Sequence, residues 1–344
     1  MIGRYRGFIS FLKKAVPGVL TVHCVIHRQH LVAKHLSGRL HKSINTVIIS
    51  VNKIKAHSLN SRLFRQLCID NDEEFDRLLL HTEVRWLSKR NCLKRFYSLF
   101  DTVVEFFQES NIGLCHDLKK IKNDIAYLSD IFLKFNEINL QLQGNDANLI
   151  KVKSVISTFR SKCKLFKRNL ARHELYQFPS LCELDKEKKI SDDDLQVYCA
   201  HIEELQRYMN ERYQYILGLK IPDWVINPLL EVSSEETREV EEELVSIKND
   251  IELSPKFKIS YQDFWLQKKI SDLYPVLWNR VKIYLIAFPT SYLVERAFSV
   301  VTMLLSKQRN KLRITERGDL RLLPSEFQPD VDKLIFLHQV HPSH

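Results

Sequence analysis

Apolar residues recur at steps of three and four along most of this chain. Leu36, Leu40, Ile44, Ile48, Val51 and Ile54 fall on one helical face. A helix from about Leu87 carries Leu93, Phe96, Phe100, Val103 and Phe107. A third stripe runs Leu118, Ile121, Ile125, Leu128, Phe132, Phe135 and Leu142. A fourth runs Leu149, Val152, Ile156, Phe159, Cys163, Phe166 and Leu170. The fifth is Leu195, Ile202, Leu205, Met209 and Ile216, with Asp192–Asp194 placed to cap its start. Such stripes are core-forming faces, and together they predict an antiparallel helical array. Residues 7–15 predict a short amphipathic helix closed by Pro17 and Gly18. Residues 19–27 (VLTVHCVIH) depart from the pattern: the run is β-branched and apolar and predicts one buried strand. A single strand cannot satisfy its backbone groups without neighbours. Residues 231–243 hold seven Glu and one Arg and predict a solvated helix face or a flexible linker. After Pro255 aromatics crowd together at Phe264, Trp265, Tyr274 and Trp278, before a helix over roughly 291–313.

Composition agrees with a helical protein. Of 344 residues only 8 are Gly and 10 Pro, too few for a turn-rich all-β fold. Seven cysteines are scattered with no C-x-x-C pair, which argues for reduced thiols and against a disulfide framework or a four-cysteine zinc site. No apolar run is long enough for a membrane span, so no membrane partner is expected. The start of the chain does not read as a secretory signal.

The net charge of +10 is unevenly spread. Residues 1–69 hold twelve Lys and Arg and no Asp or Glu. Residues after 100 hold 34 basic against 36 acidic side chains, so the excess sits in the first third. A basic block of this kind attracts polyanions, nucleic acid foremost; the plainer reading is a solvated basic face.

Three places carry candidate chemistry. Cys24 and His27, within His23-Cys24-x-x-His27-x-x-His30, offer metal-ligand types, but no second pair follows at finger-like spacing, and packing or capping explains them as well. Arg85 and Trp86 lie among Lys89, Arg90, Lys94 and Arg95, a mixture in which an aromatic face stacks on a base while cations meet phosphates; the plainer reading is a core Trp beside a basic face. Glu295, in PTSYLVERAFS, reads by spacing alone as half of a helix ion pair. No phosphate-binding loop, dinucleotide fingerprint, esterase elbow or H-E-x-x-H pair is present, so no small-molecule substrate is expected.

Taken in order, these places resemble the hAT transposase superfamily. The sequence has Cys24-x-x-His27, then Arg85-Trp86, then Ser291-x-x-x-Glu295-Arg296-x-Phe298-Ser299. Phe264-Trp265 and Tyr274-Pro275 upstream and Arg309-Asn310-Lys311-Leu312 downstream are similar to the hAT C-terminal dimerisation block. The closing stretch is similar to the ends of transposase-derived zinc-finger BED and SCAN domain-containing proteins. The resemblance implies a mainly α chain with a small α/β remnant: an incomplete RNase H-like core interrupted by a large helical insertion domain, then the dimerisation region. The corresponding divisions are 1–35, 36–250 and 255–344. It implies a catalytic Asp-Asp-Glu set holding Mg or Mn in intact members, with Glu295 matching the third acid and both Asp missing, as if the chain were truncated at Met1. It implies that Trp86 stacks on a base, that Cys24 and His27 support the strand-transfer site, and that Phe264, Trp265, Trp278 and Phe298 serve dimerisation.

Two-metal chemistry needs several converging carboxylates, and one Glu cannot supply them. The expectation is therefore a catalytically inactive, transposase-derived protein without cofactor or bound metal, binding DNA and able to form a homodimer. It is expected in the nucleus, from the resemblance and the basic charge, or otherwise in the cytoplasm. The rival expectation is a helical protein-interaction scaffold; an active metal-dependent transposase is the third.

Overall fold

The computed structural model describes residues 8–15, 24–36, 38–79, 86–143, 147–187, 189–229, 237–253, 257, 260–287, 289–290 and 292–305, with the backbone alone at 8, 9, 12, 13, 86–90 and 292–296. The chain divides into two compact units, one of Met1–Leu142 with Ala147–Pro289 and one of Gln143–Asp146 with Thr290–His344. The described residues are mainly helical and contain no strand. The small α/β remnant expected from the sequence is absent among them.

The first unit begins with α1 (Phe8–Ala15) and α2 (Val25–Ala33). The second of these corrects the strand expected over 19–27. Residues 19–23 lie outside the described residues, and from Val25 onward the backbone is helical. The β-branched run suggested a strand, but Val25, Gln29, Val32 and Ala33 share one buried face at helical spacing, and that packing overrides local propensity. Gln29 Nε2 donates to Phe135 O at 2.5 Å, and Tyr213 Oη donates to Val25 O at 2.9 Å.

α3 (Gly38–Lys55) follows with Leu40, Ile44, Val47, Val51 and Ile54 inward, then α4 (Ser58–Asp70). The stripe expected from Leu87 to Phe107 is real but spans two helices, α5 (Trp86–Ser98) and α6 (Phe100–Ser110), broken at the buried Leu99. The stripe from Leu118 to Leu142 is likewise divided between α7 (Ile112–Lys120) and α8 (Lys122–Leu142). Asn111 starts α7 by accepting from Leu114 N at 3.0 Å. Fourteen of the 21 residues of α8 are buried, which makes it the central helix; α2, α3, α5 and the helices below pack around it.

α9 (Leu149–Leu170) matches its stripe in full. A short helix α10 (Pro179–Asp185), with Pro179 in its first turn, leads to α11 (Asp192–Leu217). Ser191, one residue before the predicted Asp cap, is the N-cap of α11, and Asp194 completes a capping box. α9 and α11 form the most extensive helix pair of the core.

A second core follows, built by α12 (Asp223–Ile226), α13 (Arg238–Asn249), α14 (Tyr261–Trp265), α15 (Lys268–Leu273) and α16 (Pro275–Leu285). The Glu-rich run is more than a solvated linker where it is described. Val240, Leu244 and Ile247 line the buried side of α13. Glu243 accepts from Val276 N at 3.1 Å and Leu277 N at 2.8 Å, capping α16 behind Pro275. In the second unit the described helix is α17 (Tyr292–Leu304).

Candidate nucleic-acid interface

The residues expected to meet nucleic acid run from Arg85, the residue before α5, to Arg95 in its last turn. Arg85 and the side chains of Trp86, Lys89 and Arg90 lie outside the described residues, although the backbone of Trp86–Arg90 is helical. Lys94 is exposed. Arg95 is engaged inside the fold: its guanidinium lies 3.5 Å from the ring centroid of Phe75, and its Nη1 donates to Arg77 O at 3.3 Å. Lys55 Nζ donates to Leu78 O and Cys92 Sγ to Leu79 O, so α3 and α5 together clasp the segment after α4. Arg95 therefore reads as a clasp.

The basic first third is also partly neutralised from within. Arg39 meets two carboxylates: its Nε and Nη2 donate to Asp124 at 3.1 and 2.8 Å, and Nη2 also bonds Asp194. Asp124 is buried and accepts further bonds from Ser43 Oγ at 2.7 Å and Tyr198 Oη at 3.1 Å. A carboxylate so fully satisfied is a structural node joining α3, α8 and α11. Burial opposes the charge on Arg39, but the bonds to Asp124 and Asp194 outweigh it and raise its pKa. Arg65 pairs with Asp76 at 3.0 Å, and Arg28 lies over the ring of Tyr215 at 5.3 Å. Lys34, Lys42, Lys53 and Arg62 remain exposed.

Among the described residues a strongly basic surface lies on α9, whose sequence pattern reads only as a core stripe. Residues 147–173 hold eight Lys and Arg and no Asp or Glu. The apolar side of α9 is buried, which turns the remaining residues outward. At 100° per residue, Ser154, Ser157, Thr158 and Ser161 form a narrow hydroxyl spine. Lys151 and Lys162 flank it toward α8, and Lys153, Arg160, Lys164 and Lys167 flank it toward α11. On the α11 side two cations are committed: Lys153 donates to Leu219 O, and Lys167 pairs with Glu203 at 2.9 Å. Lys151, Lys162, Lys164, Arg168 and Arg172 are exposed and form no ion pair with the described residues. In sequence the stretch is bounded by Asp146 and Glu174. The signal was available in the sequence as a 27-residue stretch without a carboxylate, hidden by the balanced total after residue 100.

The other expected site residues fall as follows. Cys24 is the N-cap residue of α2 and His27 is exposed one turn later. Among the described residues no three His, Cys, Asp or Glu side chains converge as metal ligands. Phe264 and Trp265, expected at a dimer surface, are buried in the second core. Trp265 Nε1 donates to Val225 O at 2.8 Å and its ring meets Trp224 edge-on at 6.1 Å, so in this chain these aromatics fill a core. Trp278 packs half-buried against the same core. Phe298 is 66% exposed on α17. Glu295 lies on the helical backbone of α17, and its side chain is outside the described residues.

No solved structure matches this chain. Residues 23–171, from the residue before Cys24 to the end of α9, match the FAM200/GTF2IRD2-like family model, described as the FAM200/GTF2IRD2 helical domain, a domain related to transposase-derived, hAT-like proteins.

Proposed function

We propose that this chain is a transposase-derived helical protein that binds duplex DNA along the outer face of α9 and does not cut it. The observation that carries the reading is the uncommitted cationic face of α9. Twenty-two residues at 1.5 Å each span about 33 Å, close to one turn of B-DNA at about 34 Å. Hydroxyls on the spine suit phosphate oxygens, and lysines on both flanks supply the charge. The match over 23–171 and the order of the hAT-like motifs support the same ancestry. A membrane surface fits less well, because the apolar side of α9 is already buried in the core.

Lack of cutting is supported by the supply of carboxylates: residues 1–69 provide none, and Glu295 is a single acid where two-metal chemistry needs several. Self-association through α17 is part of the proposal, supported by the exposed Phe298 and Met303 and by the resemblance of this region to the hAT dimerisation block. A nuclear location follows from DNA binding.

The test is fluorescence anisotropy of a labelled duplex titrated with the protein across a salt series, with Mg or Mn added in parallel. The proposal expects affinity that falls steeply with salt and a duplex that stays intact. Absence of binding at low salt leaves the interaction-scaffold reading in its place. Metal-dependent cleavage that Glu295→Gln abolishes would establish an active transposase.

A further inference from the structure

A groove of about 190 Å³ runs between α8 and α9, lined by Lys134, Glu137, Thr158, Lys162, Phe166 and Gln177 among others. Lys134 comes from α8 and Lys162 from α9, so each helix contributes one ammonium to the same groove. Lys134 is half-buried, with its Nζ 4.9 Å from the ring centroid of Phe166 and 5.4 Å from that of Phe178. It forms no ion pair with the described residues.

The carboxylate one turn earlier is already occupied. Asp130 Oδ2 accepts from Ser180 N at 2.9 Å and Leu181 N at 3.3 Å, and its Oδ1 accepts from Ser180 Oγ at 2.8 Å. Glu137 is the one acid lining the groove, and it is exposed. The remaining polar groups are rich in protons. Gln177 Oε1 is taken by Asn169 Nδ2 at 3.1 Å, which leaves the amide nitrogen of Gln177 to donate, and Thr158 adds a hydroxyl. Burial lowers the pKa of Lys134, and neighbouring Lys162 acts in the same direction, against Glu137 and Asp130. The aromatic rings compensate only part of the cost of holding this charge away from water.

We propose that this groove is a phosphate-ester site, in which non-bridging oxygens sit between Lys134 and Lys162 and take further hydrogen bonds from Thr158 and Gln177. Two ammonium groups and two neutral donors match the several acceptor oxygens of a phosphate and mismatch a cation or a neutral apolar ligand. The site goes beyond duplex binding, because its phosphate has two sources: the backbone of a nucleic acid lying along α9, or a free phosphorylated small molecule.

The test uses the full chain with inorganic pyrophosphate as probe at matched ionic strength, read by thermal shift and by competition against a labelled duplex. Lys134→Gln keeps much of the side-chain length and removes the charge; Lys119→Gln, at an exposed position in the last turn of α7, is the control. Circular dichroism establishes that each variant is folded. The expected result is pyrophosphate binding about tenfold weaker or worse in Lys134→Gln and unchanged in Lys119→Gln. Displacement of the duplex by pyrophosphate, with duplex affinity also reduced in Lys134→Gln, assigns the phosphate to the nucleic acid. Pyrophosphate binding without displacement assigns it to a small molecule. Equal binding by Lys134→Gln and wild type, or no binding by wild type at millimolar pyrophosphate, overturns the site.

Discussion

His201 is held neutral by its surroundings. Tyr127 Oη lies 2.8 Å from its Nδ1, and its Nε2 lies 3.2 Å from His35 O, so a neutral ring protonated at Nε2 satisfies both. Burial pulls its pKa down from 6.5 to about 4, with the bond to His35 O and the charge of Glu204 acting the other way and His35 itself adding to the fall. A depressed folded pKa gives stability that is complete above the unfolded value near 6.5 and is lost as pH falls through about 4. Asp130 behaves oppositely. Burial raises its pKa from 3.8 to about 6 despite its bonds to Ser180 and Leu181, so its contribution is complete below 3.8 and is lost as pH rises through about 6. Between pH 4 and 6 the two residues offset each other. In His201→Gln only the Asp130 effect remains. The stability advantage of wild type over this variant is expected to shrink by about 3 kcal/mol from pH 7 to pH 4. Urea unfolding at the two pH values measures it, and an advantage independent of pH would show that His201 does not titrate as described.

At the scale of the element, what could be read from the sequence depended on how one-sided each segment was. α9 and α11 were legible because their apolar positions keep a helical period over more than five turns and a capping residue marks each start. α2 was not, because residues 19–25 are rich in β-branched side chains and the polar Gln29 occupies the buried face where an apolar residue would have shown the period. The breaks at Leu99 and Ile121 were invisible for a related reason: both residues are apolar and lie in phase with the stripes on either side. The charged face of α9 was concealed by averaging. The clasp made by Arg95 depends on Phe75, twenty residues away, and no local pattern announces it. Phe264 and Trp265 were expected at a surface because aromatic density marks interfaces and cores alike; burial decides between them. α17 keeps the dimer expectation through Phe298 and Met303, which are 66% and 64% exposed. Light scattering over a concentration series is expected to show a dimer in wild type and a shift toward monomer in Phe298→Ser. A wild-type protein that stays monomeric throughout would remove self-association.

At the scale of the whole molecule, the matched segment and the folded core end in different places. The match stops at Ala171, just past α9, whereas the core that α9 belongs to is completed by α11 through Leu195, Tyr198, Ile202, Leu205, Met209, Tyr213 and Ile216. Without α11, Asp124 would lose Tyr198 and Arg39 would lose Asp194. A fragment of residues 23–171 is therefore expected to lack a cooperative unfolding transition, and one of residues 23–220 to regain it; cooperative unfolding of the shorter piece would show that α11 is dispensable. Asn148 links the two cores of the first unit. Its Oδ1 caps α9 at Lys151 N, while its Nδ2 donates to Tyr261 Oη and Gln262 Oε1, both at 3.1 Å. The face of α9 is thus fixed from the core side along its length and at its N-terminal end, a rigid mount for a binding surface. The direct test of DNA binding through that face compares the salt dependence of duplex affinity for wild type and for Lys151→Gln/Lys164→Gln/Arg168→Gln, whose substituted side chains are exposed. The slope of log affinity against log salt is expected to be shallower in the triple variant by about three units. An unchanged slope, with wild-type binding intact, would contradict the assignment of DNA binding to α9.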